Sequence, residues 1–175
     1  GKGASEFAIE VKGMEVPGHD PRNNYLLALA YATGSRGACH TADPSYSIGT
    51  GIFAWPDVGI NLGVNTKQNE GAAPIVKNGQ DLGCIYNSMT ICYMVVETLN
   101  GEIVTGLLNS TTGFDYTFNE LRECGERIWH MKRGLCNLMG ITAADDKLPK
   151  RLLTANTDGG AAGSAPKLDI LLKEY

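Results

Sequence analysis

The sequence predicts a mainly helical fold with a short extended segment at its start and one long irregular loop. Three observations carry this. Apolar residues recur at helical spacing through the second half of the chain, capping patterns bracket those runs, and strand-like alternation is confined to the beginning. With 175 residues and 43% hydrophobic content, residues 1–175 read as a single domain with a core of its own.

Residues 7–16, FAIEVKGMEV, alternate partly and carry Phe, Ile and Val, so they read as extended. Pro17, Gly18 and Asp20-Pro21 close that run with a turn. Asn23 or Asn24 then caps a short apolar helix, YLLALAYAT, which ends at Gly34. Residues 35–66 are rich in Gly, Pro and Asp and read as mostly irregular. A loop of that length in a compact domain is usually functional or covers something. From about residue 68, Ile75, Val76, Leu82, Ile85 and Met89 fall at helical spacing, with Pro74 in the first turn. A second helix is predicted over 101–108. The strongest spans 117–139, where Thr117-Phe118-Asn119-Glu120 is a capping box. Leu121, Cys124, Ile128, Met131, Leu135 and Leu138 form its apolar stripe, and Gly140 suits the position after its end. Residues 154–167 read as a flexible link before a last helix, LDILLKEY.

A net charge of −4 without any Lys/Arg run argues against a nucleic-acid surface. No run of 18 apolar residues predicts a membrane span. The opening residues show no signal-peptide pattern and no initiator Met, so the chain reads as a piece of something longer. Five cysteines without a C-x-x-C give neither a disulfide framework nor a self-contained zinc site, and free thiols point to a reducing cytoplasm.

Two histidines sit in loops that would hold them. His19 lies in PGHDPR, stiffened by two prolines. His40 follows Ser35-Arg36-Gly37-Ala38-Cys39, beside an always-charged guanidinium. Each is open to two readings, an acid/base group or an exposed side chain on a tight loop. His130 lies mid-helix and reads as structural, and Cys124 and Cys136 read as packing. Cys84 and Asn87, three apart, share a helix face. Cys92 in YNSMTICYM has polar neighbours and could ligate a metal or pack as a buried thiol. One thiolate cannot hold a [4Fe–4S] cluster, which usually takes four.

Several segments together resemble one family. VKGMEVPGHDPR (11–22), LAYATGSRGACH (29–40), QDLGCIYNSMTIC (80–92), FDYTFNELRECGERIW, DDKLPKRLL and LDILLKEY are similar, in order and spacing, to the C-terminal part of tungsten-containing aldehyde ferredoxin oxidoreductases. The resemblance implies a multihelical C-terminal domain. It implies tungsten (or molybdenum) held by two pterins, a nearby [4Fe–4S] cluster, an aldehyde substrate and ferredoxin as electron acceptor. The family's D-x-x-G-L-C pattern falls on Asn87 to Cys92. On this reading Cys92 is the fourth cluster ligand, Asn87 the pterin-binding position, and Ile91 a backbone contact. His40 falls where the family brings a histidine toward the metal, and His19 where it places a Tyr or His.

This chain departs from the pattern at three points: Asn87 replaces Asp, Thr90 replaces Gly, and Ala42 stands where relatives carry a basic residue. The Asn loses a charge-assisted bond, and a β-branched Thr resists a positive φ. The other three cluster cysteines and the pterin-binding domain would lie upstream. The chain alone is therefore expected to be inactive and to bind no cofactor, and its oligomeric state is open. The alternative is a cofactor-free structural or partner-binding module derived from that family. A third reading keeps the cofactors and changes the substrate.

Overall fold

The structure, a computed structural model, describes residues 2–175. It is mainly helical, as expected, with one two-stranded sheet among the described residues. The segment expected to be extended folds back on itself. Strands β1 (Glu10–Val11) and β2 (Met14–Glu15) pair antiparallel, Val11 opposite Met14. Lys12 and Gly13 form the turn with φ of 51° and 79°. A two-residue hairpin turn with positive φ at both positions matches the natural twist of its strands.

Helix α1 (Tyr25–Thr33) is buried along its whole length. It is apolar on every side, and such a helix is stable only when enclosed. The Asn24 side chain caps it by accepting the Leu27 N–H at 3.3 Å. Its C-terminus is held by charge. Lys12 Nζ donates to Ala32 O at 2.6 Å and Gly34 O at 3.0 Å, and pairs with Asp146 at 2.7 Å. Arg133 donates to Thr33 O at 3.1 Å and to both oxygens of Asp146 at 2.9 and 2.6 Å. The last carbonyls of a helix are orphaned and carry partial negative charge, so two cations there are well placed. Burial lowers the pKa of Lys12, and the hydrogen bond and charge of Asp146 oppose that shift.

The loop expected to be irregular contains helix α2 (Ser45–Thr50), started by Asp43, which accepts the Ser45 N–H at 2.8 Å. Helix α3 (Ala72–Ser88), with Pro74 in its first turn, packs against α1 on one side. The short α4 (Tyr93–Val96) and α5 (Gly101–Thr112) follow, then α6 (Phe118–Leu138), packed on α3. Both halves of the Thr117/Glu120 capping box form. Helix α7 (Leu168–Glu174) closes the chain, and Tyr175 donates to the buried Gln80 Oε1 at 2.6 Å.

The buried face of α6 differs from the predicted stripe. Leu121, Gly125 and Trp129 point inward, while Met131, Leu135 and Leu138 are 74%, 59% and 88% exposed. The reason is Gly125: a Cβ there would come 2.4 Å from Asp81 O, so only glycine lets α6 approach α3 this closely. His130 lies on the outer side, 70% exposed, rather than in a structural position. Cys124 and Cys136 are half-buried, and Cys136 donates to Ser35 O at 3.2 Å. Residues 154–167 are packed rather than a link. Ala161 is buried, and Ser164 Oγ donates to Arg22 O at 2.6 Å and pairs with Tyr25 OH at 3.0 Å. Among the described residues no helix is long and apolar enough to cross a membrane.

Candidate functional site

His19 sits between the hairpin and a tight turn at Pro21–Asn23. Asp20 fixes that turn: it accepts the Arg22 N–H at 2.9 Å and the Arg22 guanidinium at 2.6 to 3.0 Å. The hydrogen bond from Arg22 holds the Asp20 carboxyl below its ordinary range. Tyr31 OH, from α1, donates to His19 O at 3.4 Å.

His40 arrives on the loop leaving α1, the loop whose start is held by Lys12 and Arg133. The two imidazoles meet with ring centroids 4.6 Å apart. Tyr46, from α2, packs on His19 at 4.1 Å and edge-on to His40 at 6.0 Å. Burial, then the charge of His19, lowers the pKa of His40. A histidine so shifted is neutral near pH 7 and can accept a proton. His19 and Tyr46 also line a cleft of about 390 Å³ whose far wall is Asn156, Asp158 and Gly159. Sequence reasoning missed Tyr46. Its signal was Asp43-Pro44-Ser45, a helix start inside a stretch read as irregular.

Asn87, near the end of α3, ties this loop to the other half of the site. Its Nδ2 donates to Gly83 O at 2.6 Å and to Ala42 O at 3.3 Å, two residues past His40. Gly83 makes the approach possible, because a Cβ there would meet Ala42 O at 2.2 Å. The Asn87 Oδ1 has no partner among the described residues, so it is free to accept.

Beyond Asn87 the helix ends in a Schellman turn. Ile91 N–H bonds to Tyr86 O at 3.0 Å and Thr90 N–H to Asn87 O at 3.2 Å, with Thr90 at φ 57°. The substituted Thr90 thus takes the left-handed conformation that a glycine adopts freely. The Ile91 N–H is spent inside the protein, leaving its carbonyl as the backbone group it can offer. Its side chain is half-buried against the core. The turn delivers Cys92 as the first residue before α4, exposed and flanked by the exposed Met94 and Val95. The opening ambiguity over this thiol is resolved toward exposure.

The residues present fit parts of a pterin and cluster site. An exposed thiol can be one cluster ligand, and a free amide oxygen can accept from a heterocycle N–H. Among the described residues no three His, Cys, Asp or Glu side chains are grouped to hold a metal ion. The histidine pair and the thiol lie on loops joined through the Asn87–Ala42 hydrogen bond.

Comparison with known proteins shows which sequences this chain is similar to. The family model described as aldehyde ferredoxin oxidoreductase, domains 2 & 3, matches residues 1–175. A tungsten-containing aldehyde ferredoxin oxidoreductase of Pyrococcus furiosus is 32% identical over 176 residues, covering 99% of this chain and 28% of that protein. Those of Thermococcus kodakarensis and Pyrococcus horikoshii are 31% and 30% identical, covering 99% and 97% of this chain and 28% and 27% of theirs. The chain thus spans less than a third of the length of these relatives.

Proposed function

The chain belongs to the aldehyde ferredoxin oxidoreductase family, and from that premise we propose that it forms the histidine-bearing and cluster-facing part of an oxidoreductase that converts an aldehyde and water to a carboxylic acid. Bound there, a tungsten or molybdenum bis-pterin centre would supply the two-electron chemistry of that oxidation, and a [4Fe–4S] cluster would supply the route to ferredoxin. The observation that carries this reading is the His19–His40–Tyr46 cluster, assembled from three separate segments, of which His19 and Tyr46 line the cleft.

His40 acts as the proton acceptor at its imidazole nitrogen. Its depressed pKa keeps it neutral, the state a general base requires near pH 7. His19 packs on it with the rings tilted by 57°, and Tyr46 packs on His19 and lies edge-on to His40. The cleft beside His19 is of a size to hold a small substrate. Cys92 would supply one thiolate to the cluster, Asn87 Oδ1 would accept from the pterin, and the Ile91 carbonyl lies between them in sequence. Thr90 holds the left-handed turn despite its side chain, which favours a working site over a cofactor-free module. The free thiols suit a reducing compartment.

Anaerobic reconstitution tests the division of labour. The 175-residue chain, given iron and sulfide, is expected to form no stable cluster, since Cys92 is a single exposed ligand. A stable [4Fe–4S] signal from this chain alone would overturn the assignment. In the intact oxidoreductase, His40→Gln is expected to lower turnover by about 10²- to 10⁴-fold while leaving the cluster signal unchanged.

A further inference from the structure

The cleft beside His19 has polar walls on both sides, and their chemistry discriminates among aldehydes. One wall comes from the Pro21–Asn23 turn and the start of α1. The other is the segment 156–161, which the fold holds in place through its main chain. Gly163 N–H donates to Asn156 O at 2.9 Å, Ala162 N–H to Gly159 O at 3.1 Å and Lys67 Nζ to Gly160 O at 3.2 Å. These bonds leave the side chains of the wall unspent. Asn23, Asn156 and Asp158 line the cleft, and their side chains make no hydrogen bond or ion pair among the described residues. Tyr46, packed on His19, adds an aromatic ring to the same lining.

Charge narrows the substrate. No Lys or Arg lines the cleft. Arg22 and Lys67, which belong to its surroundings, are turned to Asp20 and to Gly160 O. Asp20 is neutralised by that pairing, so Asp158 is the one unpaired carboxylate of the lining among the described residues. A phosphorylated or carboxylated aldehyde would meet that carboxylate with no cation to receive its own charge. An apolar aldehyde would strip water from two amides and a carboxylate and return no hydrogen bond. A cationic aldehyde answers Asp158 but leaves the amide N–H groups of Asn23 and Asn156 without an acceptor. Hydroxyl groups do both: they donate to the carboxylate and accept from the amides. The C–H face of a hydroxylated chain can also pack on the ring of Tyr46.

We propose that the substrate is an uncharged hydroxylated aldehyde, its carbonyl toward the histidine pair and its hydroxyls held by Asn23, Asn156 and Asp158. The inference rests on the reading of the histidine cluster as the site of aldehyde oxidation, and adds to it the residues that set specificity.

Two measurements test it. In the 175-residue chain, proton NMR follows the His19 ring, assigned with His19→Gln, against glycerol, propanol, choline and glycerol phosphate, which carry no carbonyl to react with lysines. Glycerol is expected to shift His19 saturably and to bind about tenfold more tightly than propanol, and Asp158→Ala, an exposed change, to remove that advantage. In the intact oxidoreductase, kcat/KM is compared for glyceraldehyde, propanal, betaine aldehyde and glyceraldehyde phosphate. Glyceraldehyde is expected to lead, and Asp158→Ala to lower its ratio to propanal about tenfold, chiefly through KM. Oxidation of no aldehyde at all overturns the redox reading and this inference with it. Oxidation that favours propanal, betaine aldehyde or the phosphate, or a preference untouched by Asp158→Ala, overturns this inference alone. So does a His19 ring that ignores glycerol, or that answers propanol, choline or glycerol phosphate equally.

Discussion

Replacing Thr90 by glycine is expected to stabilise the protein. Thr90 holds φ 57° two residues after the end of α3, within the paired Tyr86 O and Asn87 O bonds of a Schellman turn. The end of α6 provides an internal comparison. There Gly140 N–H bonds to Asn137 O at 3.0 Å and Ile141 N–H to Cys136 O at 2.9 Å, the same pairing, with glycine at φ 88°. A residue with a Cβ in the left-handed region costs about 1–2 kcal/mol. The extra freedom of glycine in the unfolded chain returns about 0.4–1 kcal/mol of that. The net gain is about 1 kcal/mol, which with a urea slope of about 2 kcal/mol/M raises the midpoint by roughly 0.5 M. Thr90→Ala keeps the Cβ and should recover little. Urea unfolding of the three proteins, with the slope unchanged, checks this. An unchanged or lower midpoint for Thr90→Gly, or equal gains for glycine and alanine, would refute the reasoning that strain is stored in this turn.

Four further outcomes follow from the packing and charges. Asp43 has a folded-state pKa of about 6 against 3.8 unfolded, so the folded protein binds the extra proton between those values, and stability is lost as pH rises through about 4 to 6. Asp43→Asn should therefore match the parent near pH 3.5 and exceed it at pH 7.5 by up to about 3 kcal/mol, read from urea midpoints at both pH values. Lys12→Met strips two helix-end carbonyls and Asp146 of a cation whose side chain is 2% exposed. It should cost about 3 kcal/mol in a denaturation experiment, and a cycle with Asp146→Asn should be strongly non-additive. In proton NMR, His40 should titrate below 6.5, and His19→Gln should raise it only in part, because burial is the larger cause. Gly125→Ala should cost about 1–3 kcal/mol in a thermal melt, since its Cβ would press on Asp81 O.

Much of the chain was legible because its signals are local. The Asn24 cap, Pro74 in a first turn, the Thr117/Glu120 box and Gly140 each act within a few residues of where they stand, so sequence order is enough to read them. The resemblance to the oxidoreductase family was legible for the same reason, since short segments kept their order and spacing. His19, His40, Asn87, Ile91 and Cys92 were picked out that way.

Tertiary structure decided what depends on distant backbone approach. It chose Leu121, Gly125 and Trp129 as the inner face of α6 over the more apolar stripe, because contact distance, set by one glycine, outweighs hydropathy along a helix. It placed Tyr46 against two histidines from other segments, and it bound Lys12 to a carboxylate 134 residues away. It folded the expected extended run into a hairpin and packed residues 154–167 into a cleft wall. At YNSMTICYM, sequence determined that a helix gives way to a polar, cysteine-bearing stretch. Whether Thr90 would accept a positive φ, and so turn Cys92 outward, was decided only by the hydrogen bonds that close the end of α3.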